Sequence, residues 1–78
     1  MAGKTEWAEK SIRDLIESGE LGPGGRLPSE RTLAETLGIA RTTIRLILTK
    51  LTAEGVIRSE HGRGYFATGA VAEMEPEP

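Results

Sequence analysis

A chain of 78 residues with no cysteine and a formal net charge of -2 describes one small domain, without a disulfide framework and with too little interior for a deep catalytic cleft. No apolar run approaches the roughly 20 residues of a membrane helix, and MAGKTEWAEK lacks the apolar core of a secretory signal, so a soluble, cytoplasmic chain is expected. The charge is unevenly spread: Arg26, Arg31, Arg41, Arg45, Lys50, Arg58 and Arg63 outnumber Glu30, Glu35, Glu54 and Glu60 between positions 26 and 63, and the acidic excess lies at the two ends.

The first predicted element is a helix over residues 5–18, where Ala8, Ile12, Leu15 and Ile16 recur at helical spacing and Glu6 and Glu9 favour the positive end of the macrodipole. Trp7 lies off the centre of that stripe and reads as a half-buried aromatic closing the edge of the core. Gly19 stops the helix, and the following GELGPGG is a turn-rich connection after which Arg26 and Leu27 have room for a short strand. Ser29 is placed to cap a helix over Glu30–Leu37, with Leu33, Ala34 and Leu37 inward. Gly38 ends it in a left-handed cap, Ile39 turns into the core, and a helix over Arg41–Glu54 follows, ended by Gly55.

The stripe Ile44, Ile47, Leu48 and Leu51 buries one side of this helix and leaves Thr42, Arg45, Leu46 and Thr49 on the other, with Arg41 one turn before Arg45. Val56, Ile57 and Arg58 begin an extended segment, residues 61–64 turn it, and Tyr65, Phe66 and Ala67 return, making a hairpin with one of the two aromatics in the core. Residues 69–78, GAVAEMEPEP, with three glutamates, two prolines and no periodicity, read as a disordered tail or interdomain linker, so residues 1–68 form the domain. The fold class is α+β: a winged helix-turn-helix of three helices and a small antiparallel β-hairpin wing, with the option of a short third strand near Arg26. Such a frame presents the first turn of its second helix to base edges and its wing to phosphates or the minor groove.

The segments PSER-x-LA, the glycine turn followed by RTT-x-R, AEG at the helix end and HGRG at the wing together resemble the N-terminal winged helix-turn-helix domain of GntR-type bacterial transcription regulators. The resemblance spans positions 7 to 68. It implies a DNA-binding domain, ordinarily of a repressor, that pairs on a pseudo-palindromic operator and precedes a C-terminal effector-binding or oligomerisation domain. No such second domain is in this sequence, so a monomer in solution that dimerises on double-stranded DNA is expected, with any small-molecule effector held elsewhere.

Carried over position by position, the resemblance implies that Arg31 touches DNA from the first helix of the pair, that Arg41, Thr42, Thr43 and Arg45 form the recognition helix, and that His61 and Gly62 border the minor groove. Arginine suits guanine O6 and N7, threonine a phosphate or thymine methyl, and glycine a close backbone approach; base or phosphate contact stays open for Arg31, Arg41 and Arg45, while phosphate is the default for Arg63. Two positions depart from the family pattern. Ala40 stands where Ser or Thr usually precedes RTT, removing a cap typically worth about 1 kcal/mol. Leu46 stands on the polar side, where the family commonly has a small or charged residue.

An enzyme is not expected. His61 is the only histidine and Asp14 the only aspartate, so neither a Ser-His-Asp arrangement nor an ordinary zinc site can be assembled, and no cofactor is implied. Residues 22–25 lack the Gly-Lys-Ser/Thr ending of a phosphate loop, and Gly62-Arg63-Gly64 lacks the third glycine of a dinucleotide fingerprint. The competing reading is a winged-helix module for protein contact, anchored by Leu46 and Trp7; arginines at the start of the recognition helix speak against it.

Overall fold

A computed structural model describes residues 3–69, ordered as α1 (Lys4–Ser18), one 3-10 turn (Pro23–Gly25), α2 (Glu30–Leu37), α3 (Arg41–Glu54), β1 (Ile57–Glu60) and β2 (Gly64–Ala67). The expected tail at 70–78 lies outside the described residues. The α2 and α3 boundaries fall where their caps place them. Ser29 Oγ accepts from the Thr32 N–H at 3.1 Å, and Gly38, at φ 68°, sends its N–H back to the Ala34 carbonyl. Ile39 donates to the same carbonyl, which makes the two-helix turn tight. As the missing hydroxyl predicts, Ala40 gives α3 no side-chain cap.

The three helices close on Ile12, Ile44, Leu48 and Leu51, joined by Ile57 from the first strand, all essentially without solvent contact. Ala8, Leu27, Leu33, Ala34 and Ile47 complete the cluster, and Ile16, Leu37, Ile39 and Tyr65 are among those that pack on its rim. Trp7 departs from expectation: it is 51 % exposed and takes no place in the buried cluster.

β1 and β2 pair antiparallel with Ile57 opposite Ala67, Arg58 opposite Phe66 and Ser59 opposite Tyr65. Strand alternation therefore puts Ile57, Tyr65 and Ala67 toward the helices and Arg58 and Phe66 on the outer face. β2 begins at Gly64, so the wing turn is the three residues His61, Gly62 and Arg63, closed by the Arg63 N–H on the Glu60 carbonyl at 2.9 Å. The third strand near Arg26 is reduced to single bridges of Arg26 to Gly22 and Phe66, with the Leu27 N–H on the Tyr65 carbonyl. Pro28, lacking an N–H, cannot extend that ladder. Both aromatics are covered, by different means: Tyr65 packs on the helical core, whereas Phe66 is buried outside it, with the Arg58 and Arg63 guanidiniums 5.5 and 5.3 Å from its ring centroid.

Candidate nucleic-acid interface

Ser29, as the N-cap of α2, makes Glu30 the first residue of the helix, and the Glu30 carboxylate reaches across the turn to α3. Arg45 donates from Nε to Oε2 at 3.1 Å and from Nη2 to Oε1 at 3.0 Å, and Arg41 Nη2 lies 3.8 Å from Oε1. Both arginine side chains remain 58 % exposed, while that of Glu30 is 18 % exposed. The hydrogen bonds from Arg45, opposed by partial desolvation and reinforced by the charges of Arg45 and Arg41, hold the Glu30 carboxyl below its ordinary range. Reciprocally, the hydrogen bonds and charge of Glu30 raise the pKa of the Arg45 guanidinium.

This pairing has a directional consequence. A guanidinium carries five N–H donors in a plane, and a side-on carboxylate uses only the Nε–H and one Nη2–H. The end-on edge, one hydrogen each on Nη1 and Nη2, stays available and is fixed in orientation. That edge presents two parallel donors, a pattern that guanine O6 and N7 can accept.

The remaining sequence-predicted residues fall around this centre. Thr42 is exposed beside Arg41, but Thr43, next to buried Ile44, is half-buried. The first N–H groups of α3 have no side-chain acceptor, so they face solvent at the positive end of the helix dipole. Arg31 on α2 is exposed and paired with Glu35 at 3.2 Å. On the wing, His61 and Gly62 are exposed, and Arg63 meets Glu60 Oε1 at 3.0 Å. Glu60 also holds Arg58 Nε at 2.7 Å. Leu46 is 70 % exposed, isolated on the outward side of α3.

Sequence reasoning missed Glu30 as the organiser of Arg45. It read the residue only as a favourable charge at a helix start, because a pair 15 positions apart across a turn has no local periodicity to reveal it. Among the described residues no cluster of His, Cys, Asp and Glu is arranged for a metal ion, and no helix is long and apolar enough to cross a membrane.

Residues 4–66 match the family model described as bacterial regulatory proteins, gntR family. A fatty acid metabolism regulator protein of Vibrio cholerae is 42 % identical over 57 residues, 73 % of this chain and 20 % of that protein. The uncharacterized HTH-type transcriptional regulator YihL of Escherichia coli is 40 % identical over 72 residues, 92 % of this chain and 30 % of its own length. The chain thus spans a fifth to a third of these relatives. Among solved structures, AraR(DBD) in complex with operator ORR3 superposes with a TM-score of 0.77 at 29 % identity, covering 87 % of this chain and 82 % of that one. A GntR family transcriptional regulator from Listeria monocytogenes gives 0.76 at 27 % identity, covering 86 % and 59 %. The helix-turn-helix, the hairpin wing and the family match over most of the sequence agree, and this chain belongs to the GntR family of bacterial regulatory proteins.

Proposed function

We propose that this chain is the DNA-binding domain of a cytoplasmic bacterial transcription regulator, a repressor, that reads a pseudo-palindromic operator in double-stranded DNA as a pair of domains. The observation that carries this reading is the side-on hold of Glu30 on Arg45, which fixes a guanine-matching edge at the exposed start of α3. The operator-bound AraR domain, alike in fold, supports the same docking. In this reading α3 enters the major groove by its first turn. Arg45 and Arg41 meet base edges, Thr42 and the uncapped N–H groups meet a phosphate, and Thr43, half-buried, contributes through its methyl or backbone. Arg31 contacts the backbone from α2, His61 and Gly62 border the minor groove, and Arg63 exchanges Glu60 for a phosphate. Residues 1–68 act as the domain and 69–78 as the lead into an effector-binding or oligomerising partner domain, so the free domain is monomeric.

The test is a duplex selected from a randomised pool by the chain itself, followed by NMR titration. Amide shifts should concentrate at 29–31, 41–45 and 61–63, and sedimentation should show two domains per duplex but one in free solution. Shifts confined to α1, or failure to enrich any duplex, would remove the proposal.

A further inference from the structure

Beside the wing residues assigned above, the outer face of the hairpin carries a cleft of about 310 Å³ lined by Pro23, Arg26, Gly62, Arg63 and Phe66. Two guanidiniums and an aromatic ring form it, and no carboxylate lines it. Arg26 is distinctive among the arginines of the described residues. Arg13, Arg31, Arg41, Arg45, Arg58 and Arg63 each have a carboxylate within ion-pair distance, and Arg26 has none.

Its backbone is nonetheless firmly placed. Gly22 and Arg26 exchange both hydrogen bonds, at 3.0 and 3.3 Å, and Arg26 bridges to Phe66 at the edge of the sheet. The side chain then runs across the wing: Nε lies 3.8 Å from where a Cβ on Gly64 would stand. Gly62 at the mouth has φ 75° and open space around its Cα, so a bulky anion can approach the backbone closely. An unpaired guanidinium on a fixed stem, beside a second one whose carboxylate is exchangeable, is a site for a tetrahedral oxyanion.

We infer that this cleft binds a backbone phosphodiester of the duplex, with Arg26 as a DNA-contacting residue that clamps the strand beside the wing from its root while Arg63 holds it from the tip. The inference rests on the proposed function and adds a contact to it. The stem of Arg26 is fixed beside Phe66 while its Nε reaches the level of Gly64, so the guanidinium stands on the outer face next to the turn, where it can share one phosphate with Arg63.

The experiment compares the wild-type chain with Arg26→Gln and Arg26→Lys on the selected duplex and on a scrambled one, by fluorescence anisotropy between 50 and 200 mM salt. Loss of one phosphate contact should flatten the slope of log K against log salt by about 0.9 and weaken both duplexes alike, roughly three- to tenfold at the low-salt end. Arg26→Lys should restore most of the slope. A role limited to covering Phe66 would lower the thermal midpoint of Arg26→Gln and leave the slope unchanged, which would overturn the assignment while the DNA reading stands. A wild-type chain that binds neither duplex would overturn both together.

Discussion

Replacing Glu30 by glutamine tests whether the carboxylate positions the reading arginine or merely decorates a helix start. The amide keeps the size of the side chain and one acceptor, but removes the charge that holds Arg45 through bonds of 3.0 and 3.1 Å and attracts Arg41 from 3.8 Å. Stability should change little, since a charge in the first turn of an exposed helix is worth about 0.3–1 kcal/mol. DNA binding should change in two opposed ways. A carboxylate roughly 6 Å from a docked phosphate repels it by about 0.7 kcal/mol in a water-like dielectric, so its removal should strengthen binding to scrambled duplex about threefold. A well-held bidentate arginine supplies about 1–3 kcal/mol of discrimination, and an Arg45 free to rotate should forfeit a third to a half of that, weakening the selected duplex several-fold. Relief of the repulsion acts on both duplexes and cancels in the ratio, so the ratio of selected to scrambled affinity should fall by the lost discrimination alone, about two- to twelvefold. Anisotropy titrations with both duplexes at one salt concentration measure it directly. A ratio within twofold of wild type would show that Glu30 does not organise the site, and equal losses on both duplexes would point to a damaged fold.

Four further outcomes are expected. Arg41→Ala should relax preference at a single base pair at a cost of about 1–3 kcal/mol, whereas Arg63→Ala should weaken all duplexes alike and reduce the salt slope by about one unit; identical profiles for the two variants would refute the division of roles. Ala40→Ser should supply the missing cap of α3 and raise stability by about 1 kcal/mol, seen as a higher melting midpoint, and no rise would mean that backbone and solvent already satisfy those N–H groups. Leu48→Ala, at a site with no solvent contact between α3 and its neighbours, should cost about 2–5 kcal/mol and leave the domain largely unfolded at its former midpoint; a loss below about 1 kcal/mol would mean the core collapses around the gap. In acid, Glu9 and Glu54 are held below their ordinary pKa of 4.5 chiefly by hydrogen bonds from Arg13, as Glu30 is by Arg45, so the stability they lend is complete above that range and lost as pH falls below about 4.5 through the folded values. Urea midpoints that stay level from pH 5 to pH 3 would contradict this, and added salt should shrink the drop because the pairs are partly exposed.

The elements most legible from sequence were those with punctuation at both ends. Ser29 and Gly38 bracket α2, and Gly55 ends α3, so local hydrogen-bonding chemistry alone sets their limits. The optional third strand near Arg26 stops at single bridges because Pro28 cannot donate, and α1 begins at Lys4 instead of residue 5 because Gly3 serves as its N-cap. Arg41, Arg45 and Arg63 were recognisable as exposed by helical spacing and turn position. Their carboxylate partners were not, nor was the cover of Phe66: Glu30 meets Arg45 across a turn, and Arg26 meets Phe66 only because the loop at 22–26 folds back on β2. Such meetings depend on how elements pack, and no residue pattern within either element encodes them. The half-burial of Thr43 and the exposure of Trp7 belong to the same class, since each sits at the border of a stripe where a few degrees of helix rotation decide the outcome.

Net charge acquires a different meaning once those partners are known. The acidic excess at the ends of the sequence accounts for the overall value of -2, but the proposed site carries its own glutamates as well. Arg31 is paired with Glu35, Arg41 and Arg45 with Glu30, and Arg63 with Glu60. Each glutamate occupies part of the donor set that a phosphate or a guanine would use. Under the proposed function, binding is then an exchange: the arginine keeps its carboxylate against the wrong partner and yields or shares it with the right one, so non-specific affinity is held down more than specific affinity. Negative charge beside a recognition arginine costs attraction at long range, where steering by unpaired basic residues would raise the encounter rate. It gains discrimination at contact, because only a partner that matches the free edge of the guanidinium compensates for the repulsion. Arg26, which among the described residues is the one arginine without such a carboxylate, is the side chain left to attract the backbone without condition.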